Sequence, residues 1–251
     1  IIVIGKDGSV NILRIDIPFT ARYTIPEGED VNEWGVFRLD QETRDWVLVP
    51  FAIIDERTLE AQVRTGNIYK AMRLADINVK SWAKREIRLL YNMKGIRVDE
   101  NFNPKDYMNT NEIVNALSRI ATEQQFEGIV EALDVLNLNK PFLTKQELVM
   151  LANYVLTTEL ELTIQNYASK VSISVLREFE RNTDESSLKK FADEEDIFPV
   201  YRPNLAVAVN YKLLRGEPDY RIHPNKIASK EEAAALLVRY AHFYWIVKHG
   251  K

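Results

Sequence analysis

The chain has 251 residues, of which 46% are hydrophobic and 28% are charged, and its formal net charge is -4. This composition excludes a disordered chain and allows one large globular domain or two modest ones. The weak negative charge gives no reason to expect nucleic-acid binding, and the absence of cysteine excludes disulfides, thiolate catalysis and cysteine metal sites.

The N-terminal end of the chain carries no complete targeting signal. The apolar start IIVI is too short for a signal peptide, and the first residue is Ile1. No apolar stretch approaches the roughly 20 residues that a membrane-spanning helix requires, so no membrane span is expected. We therefore expect a piece of a longer polypeptide, whose N-terminal part would hold a signal peptide and other domains.

Residues 1–72 are predicted to be β-rich, because their hydrophobic pattern is mostly of period two. The strand candidates contain many β-branched and aromatic residues and are separated by turn-forming stretches. They are GSVNILRIDI at 8–17, EWGVFRLD at 33–40, DWVLVPFAII at 45–54 and TLEAQVR at 58–64. We predict a small antiparallel module, with Pro50 at an edge or a strand end.

After residue 73 the apolar residues recur at helical spacing. The predicted helices lie at 81–93, 111–121, 127–138, 146–156 and 231–247. The stretch 160–190 is less regular: ISVLREFE at 173–180 has a helical pattern, and NTDESS at 182–187 is typical of a loop or of a helix start.

Three of these helices are predicted to begin with the same capping device. In a capping box the cap side chain accepts a hydrogen bond from a first-turn N–H, and a glutamate three residues later accepts one from the cap's own N–H. The pairs are Asn109 with Glu112, Thr144 with Glu147, and Ser229 with Glu232. Three such starts, two of them five residues after a proline, indicate an internal repeat.

The segments that lead to the first and third caps share one order of features. Each has an aspartate, an aromatic residue, a helix, a loop with a second aspartate, and a proline before the cap. The corresponding residues are Asp76 and Asp193, Trp82 and Tyr201, Asp99 and Asp219, and Pro104 and Pro224. The middle segment keeps both helices but has a shorter loop. We expect a β-rich module at 1–72 and repeats at 73–122, 123–189 (degenerate, with an extra segment) and 190–251.

These segments resemble S-layer homology domains, the repeats that attach bacterial surface proteins to the cell wall. The resemblance covers residue 74 to about 245 and is most specific in the third copy. It rests on the WA pair at 82–83, on the loop GEPDYRIHPN at 216–225, and on the helix starts MNTNE, LTKQE and ASKEE.

The resemblance implies an α+β multidomain fold, in which an antiparallel β module precedes an all-helical, three-lobed unit with pseudo-threefold symmetry. It implies that grooves between the lobes bind secondary cell wall polysaccharide, often one carrying an acidic pyruvate ketal. The protein would then anchor an exported S-layer or S-layer-associated protein noncovalently at the cell surface, with other S-layer subunits as further partners. No cofactor is implied.

The chain departs from the family pattern at the positions expected to bind the acidic group. Thr110, Lys145 and Lys230 stand where the family has arginine, and Tyr220 stands where it has a loop glycine. Lysine keeps the charge but loses the bidentate hydrogen bonding of arginine, and tyrosine fits poorly if the loop needs a positive φ. We therefore expect a charged ligand to prefer the third site, with Lys230 and Asp219.

Each candidate residue also has a plainer interpretation. Trp82 and Tyr201 fit core positions, the two lysines fit solvated first turns, and the loop aspartates fit hydrogen bonds to their own backbone. The histidines are not spaced as metal ligands, and no catalytic pattern is present. The ligand-binding candidates are Lys230, Asp219, Lys145, Trp82, Tyr201 and Asp99.

Two alternative functions stay open at this point. The repeats would serve as a packing or lattice-assembly unit if they had lost the polysaccharide. They would instead serve as the attachment domain of a larger surface enzyme if the catalytic part preceded this chain.

Overall fold

A computed structural model describes the backbone of residues 2–4, 10–12, 18–64, 66–121, 126–167 and 182–248. The predicted strand residues 13–17 and the helical pattern at 173–180 lie outside the described residues. The chain divides into two compact units, Ile1–Leu74 and Ala75–Lys251.

The first unit is built from antiparallel strands. They form a two-stranded hairpin, β1–β2, and two three-stranded sheets in the orders β3–β7–β6 and β5–β4–β8. The strands are β1 (Ile2–Ile4), β2 (Val10–Ile12), β3 (Pro18–Thr24), β4 (Trp34–Leu39), β5 (Trp46–Leu48), β6 (Phe51–Asp55), β7 (Thr58–Arg64) and β8 (Tyr69–Arg73).

Alternating apolar residues give this unit its core. Ile25, Val36 and Leu59 are fully buried and pack together. Gly35 allows close packing in β4, because an added Cβ would lie 2.4 Å from Leu48 Cδ1 and would force that side chain to shift. Pro50 lies between β5 and β6. Because proline has no backbone N–H, this position costs no hydrogen bond between paired strands.

In the described residues of the second unit, the regular secondary structure is helical apart from three isolated β-bridges. Its α-helices are α1 (Lys84–Asn92), α2 (Thr110–Ile120), α3 (Phe126–Val135), α4 (Lys145–Tyr167), α5 (Arg202–Asn210) and α6 (Lys230–Lys248). Short 3-10 helices lie at Glu185–Lys190, Glu194–Asp196 and Pro199–Tyr201.

Helix α6 organises the packing of this unit. It contacts α1, α2 and α4, while α4 also packs against α3 and α5. The start of α6 is a run of buried alanines, Ala233 to Ala235, which lets neighbouring backbones come close. Further along, Tyr240 and Tyr244 are buried and fill the centre of the helical core.

The predicted three-lobed, all-helical unit with pseudo-threefold symmetry is wrong. The chain is α+β with two small three-stranded antiparallel sheets, and no three-lobed unit is evident among the described residues. The helices instead form one compact unit, in which α6 contacts three other helices. Their lengths are also unequal, with 23 residues in α4 and 9 in α5. Local similarity of the helix starts does not impose similar packing, because packing depends on the whole buried face of each helix.

Within the described part of the chain, no helix combines the length and the apolar character that crossing a membrane requires.

Candidate ligand-binding cleft

Helices α2 and α6 begin with complete capping boxes. At α2, the Asn109 side chain accepts from the Glu112 N–H and the Glu112 carboxylate accepts from the Asn109 N–H, both at 2.9 Å. At α6, the Ser229 N–H donates to Glu232 Oε2 at 2.9 Å, and Ser229 Oγ accepts from the Glu232 N–H at 3.3 Å. Each box satisfies a first-turn donor that would otherwise lack a partner.

At the start of α4, the predicted capping pair Thr144 and Glu147 forms a different set of hydrogen bonds. The Thr144 N–H and hydroxyl both donate to Glu147 Oε2, at 2.8 and 2.7 Å, so the threonine oxygen acts here as a donor. Lys140 Nζ lies 2.6 Å from the other carboxylate oxygen. Burial opposes ionisation of Glu147, but the hydrogen bonds from Lys140 and Thr144 outweigh it and lower the pKa of this carboxyl.

The three helix starts are hydrogen-bonded to one another's flanking loops. The first N–H of each helix donates to a carbonyl from another segment: Thr110 to Pro141 at 2.9 Å, Lys145 to Lys226 at 2.9 Å, and Lys230 to Asp106 at 2.8 Å. In α6, the Glu231 N–H also donates to Pro104 O at 2.9 Å. The first-turn donors of α6 are therefore satisfied within the protein.

A cleft of about 820 Å³ lies beside the start of α6. Its walls come from the turn before α1, the loop before α2, the starts of α4 and α6, and the loop that follows α5. Aromatic and ionisable side chains dominate its polar lining: Trp82, Tyr107, Lys105, Lys145, Arg215, Lys226, Arg239, Glu217, Glu231 and Glu232.

Trp82 supplies an exposed aromatic face to this cleft. Its side chain is 63% exposed, so Trp82 is not a core residue. Ser81 fixes the turn that presents it, because Ser81 Oγ accepts from the Ala83 N–H at 3.0 Å and donates to Glu231 Oε2 at 2.7 Å. An exposed tryptophan in a concave surface is a common feature of binding sites.

Lys145 lies in the cleft and is neutralised by two carboxylates. Its Nζ lies 2.8 Å from Glu217 Oε1 and 2.8 Å from Glu232 Oε1, and Lys226 Nζ lies 3.0 Å from the same Glu232 oxygen. Burial opposes ionisation of Glu232, but hydrogen bonds from Lys145, the Ser229 N–H and Lys226 lower its pKa from 4.5 to about 2.

Lys230 lies elsewhere, away from Asp219. Its Nζ is 3.5 Å from Glu112 Oε1 and 5.3 Å from the centre of the Phe102 ring. Among the described residues, the ion pair of Lys230 is with Glu112 and not with Asp219. Each helix start contacts the loop of another segment. Lys145, at the start of α4, contacts Glu217 in the loop that contains Asp219.

That loop, residues 216–223, is held in an unusual backbone conformation. Tyr220 has φ 60° and His223 has φ 50°, so the tyrosine does occupy the left-handed region. Asp193 is buried and fixes the loop by accepting from the Ile222 and His223 N–H groups at 3.1 and 2.7 Å. A side chain at Gly216 would force Phe191 to shift, because its Cβ would lie 2.6 Å from Phe191 Cε1.

In the same loop, the imidazole of His223 lies close to the carboxylates of Glu217 and Asp219. His223 Nε2 lies 3.6 Å from both Glu217 Oε2 and Asp219 Oδ2. These are ligand types that suit a divalent cation, and the three atoms lie within 4.8 Å of one another. The sequence predicts no metal site, because its histidines are not spaced as metal ligands.

Tyr201 and Asp99 have local roles. Tyr201 is half-buried, and its hydroxyl donates to Glu147 Oε1 at 3.4 Å. Asp99 Oδ1 accepts from the Asn101 N–H at 3.0 Å, and Asp219 Oδ1 accepts from the Arg221 N–H at 3.2 Å. Both aspartates therefore shape their loops through side-chain to backbone bonds.

Two arginines of the cleft were missed by sequence reasoning. Arg239 is half-buried in α6, and its Nη1 donates to Leu213 O at 3.3 Å. Burial and the neighbouring charge of Arg215 lower the pKa of Arg239, and Glu86 acts in the opposite direction. No motif marks either residue, because Arg239 falls within an ordinary amphipathic helix pattern and Arg215 within a loop.

The cleft therefore combines an exposed aromatic face, carboxylates bonded to lysines, and two adjacent arginines. This arrangement suits the binding of a polar ligand that has both an apolar face and charge. No protein-family model, no curated protein and no solved structure matches the chain.

Proposed function

We propose that the second unit is a noncovalent binding module for a polysaccharide of the bacterial cell wall, and that it holds an exported surface protein at the cell surface. The observation that carries this proposal is Trp82, which is 63% exposed within a cleft that also contains arginines and carboxylates. A flat indole face packs well against the C–H face of a sugar ring, and the polar groups bind hydroxyl and acidic groups.

The sequence supports the same ligand class. The loop GEPDYRIHPN resembles the ligand-binding loop of S-layer homology domains, and it supplies Gly216, Glu217 and Pro218 to the cleft. Because one cleft is enough for this function, the proposal does not depend on three equivalent lobes. Wall polysaccharide is the proposed partner, together with other S-layer subunits at the cell surface.

The proposal is tested by cosedimentation with purified bacterial walls that retain their secondary polysaccharide. We expect Trp82→Ala to weaken binding at least tenfold, because it removes the stacking surface. Phe198→Ala is the matched control: Phe198 is a comparably exposed aromatic residue, at 57%, that does not line the cleft. Equal binding by Trp82→Ala and the unmodified protein would contradict the proposal, as would an unmodified protein that binds no wall material.

A second candidate is a packing or lattice-assembly unit without a ligand. The observation in its favour is the internal pairing of cleft charges, since Lys145 contacts both Glu217 and Glu232. Such a unit would self-associate in the absence of wall material, which sedimentation velocity measures directly.

A further inference from the structure

The start of α6 is poorly suited to hold an acidic ligand. In α6, the N–H groups of Lys230, Glu231 and Glu232 donate to Asp106 O, Pro104 O and Ser229 Oγ. A helix N-terminus binds an anion through first-turn donors that are free to point at it. The first-turn N–H groups of α6 are already bonded within the protein. An anion must therefore bind at another part of the cleft.

Two of the three lysines of the cleft walls are bonded to carboxylates of the protein, whereas the third, Lys105, is exposed in the loop before α2. Lys145 is only 12% exposed and lies 2.8 Å from each of two carboxylates, and Lys226 lies 3.0 Å from Glu232. An acidic ligand would have to displace these internal partners to reach either ammonium group. It would gain little, because one carboxylate would replace another.

Arg215 and Arg239 differ from these lysines. Among the residues that the structure describes, no carboxylate oxygen lies within 4.0 Å of either guanidinium. Arg239 is half-buried beside the charge of Arg215, and Glu86 on α1 opposes that repulsion without forming an ion pair. Two like charges held together in a concave, partly desolvated wall favour a bound anion.

We propose that Arg215 and Arg239 form the anion subsite of the cleft and hold the acidic group of the wall polysaccharide whose sugar ring packs on Trp82. This inference rests on the proposed function and assigns the acidic subsite to residues outside the three helix starts. Guanidinium groups bind oxyanions bidentately, so the ligand class is a sugar that bears a carboxylate or a phosphodiester.

The test compares intact polysaccharide fragments with fragments made neutral. Carboxyl reduction removes carboxylates, and treatment with hydrofluoric acid removes phosphodiesters, so the two treatments identify which group is bound. Binding is followed by calorimetry on the full chain. We expect the unmodified protein to prefer the intact fragment at least tenfold over one of the two treated fragments.

Arg215→Gln is the decisive variant, because Arg215 lies in an exposed loop and its loss leaves the core intact. We expect this variant to bind the intact fragment at least tenfold more weakly and the neutral fragment as the unmodified protein does. Lys230→Gln is the matched control, because it removes a cation from a helix start outside the cleft lining and is expected to change neither affinity. Thermal unfolding of Arg215→Gln should occur at the same or a slightly higher temperature, since a repulsion is removed.

Three results would overturn the inference. If the unmodified protein prefers the intact fragment but Arg215→Gln binds it equally well, the anion is held elsewhere and the proposed function stands. If the unmodified protein binds intact and neutral fragments equally, the cleft does not recognise charge, and again only the subsite fails. If it binds no fragment, the proposed function and the subsite both fail.

Discussion

Glu232 combines a capping role with a charge-pairing role at the edge of the cleft. Its carboxylate accepts from the Ser229 N–H at 2.9 Å and contacts Lys145 and Lys226 at 2.8 and 3.0 Å. These contacts favour the ionised form more strongly than burial opposes it, so the folded-state pKa falls from 4.5 to about 2. Protonation of this one group therefore removes several contacts at once.

Glu232→Gln should lower the free energy of unfolding at pH 7 and make this free energy change less as the pH falls. Because the folded pKa lies below the unfolded one, the stabilisation is complete above about pH 4.5 and is lost as pH falls towards 2. A shift of that size corresponds to roughly 3 kcal/mol. Urea unfolding between pH 7 and pH 2 measures it, with Glu195→Gln, at an exposed glutamate, as control. Identical pH profiles for Glu232→Gln and the unmodified protein would contradict this assignment.

Asp193 and Asp76 occupy corresponding positions in the sequence but have different environments. Asp193 is 5% exposed and accepts two backbone hydrogen bonds from the loop at Ile222 and His223. The Asp76 side chain is 81% exposed and accepts from the Ile77 N–H at 2.9 Å. The same residue type at a repeated position therefore contributes unequally to the fold.

Asp193→Asn should destabilise the second unit by about 1–3 kcal/mol, because an amide keeps one acceptor and turns a donor towards a backbone N–H. Asp76→Asn should change stability by less than about 0.5 kcal/mol, as expected for an exposed position. Hydrogen exchange at the Ile222 and His223 amides localises the effect. Equal exchange rates in Asp193→Asn and the unmodified protein would show that the aspartate does not hold the loop.

At the level of elements, a buried polar contact joins three helices. Tyr240 in α6 donates through its hydroxyl to Asn153 Oδ1 in α4, and Asn153 Nδ2 donates to Asn204 O in α5 at 3.0 Å. Tyr240 is 1% exposed and Asn153 4% exposed, so neither group has water as an alternative partner. Burial also raises the pKa of Tyr240, which keeps its hydroxyl a donor.

Tyr240→Phe should lower the free energy of unfolding by about 1–3 kcal/mol, because it leaves the Asn153 oxygen buried without this donor. The loss should be independent of pH between 5 and 8, since the tyrosine is neutral throughout. Chemical unfolding measures it, and Tyr107→Phe, at a 52% exposed tyrosine, is the control. A Tyr240→Phe protein as stable as the unmodified one would show that the contact contributes nothing.

Helices and their caps could be predicted from the sequence where residues close to one another in the chain determine them. Helices α1 to α4 and α6 lie where apolar residues recur at helical spacing, and the boxes at Asn109 and Ser229 follow from a cap and a glutamate three residues apart. The pairing of Lys145 with Glu217 was not predictable, because it joins residues 72 positions apart. Arg215 and Arg239 were missed for the same reason: their proximity exists only in the fold.

At the scale of the whole molecule, the cleft belongs entirely to the unit Ala75–Lys251. The sequence predicts three repeats of which the third would bind a charged ligand best, and in the structure the three helix starts face different surroundings. Lys145 lies between two carboxylates in the cleft, Lys230 lies over Phe102, and Thr110 donates to Lys140 O. We assign the ligand to the cleft that contains the exposed Trp82, and therefore expect one ligand per chain.

Titration calorimetry with a short fragment of wall polysaccharide tests this account most directly. We predict a single class of site with a stoichiometry of one, and at least tenfold weaker binding by Trp82→Ala with an unchanged unfolding temperature. Three equivalent sites per chain, or a Trp82→Ala protein that binds as well as the unmodified one, would contradict the assignment of ligand binding to this cleft.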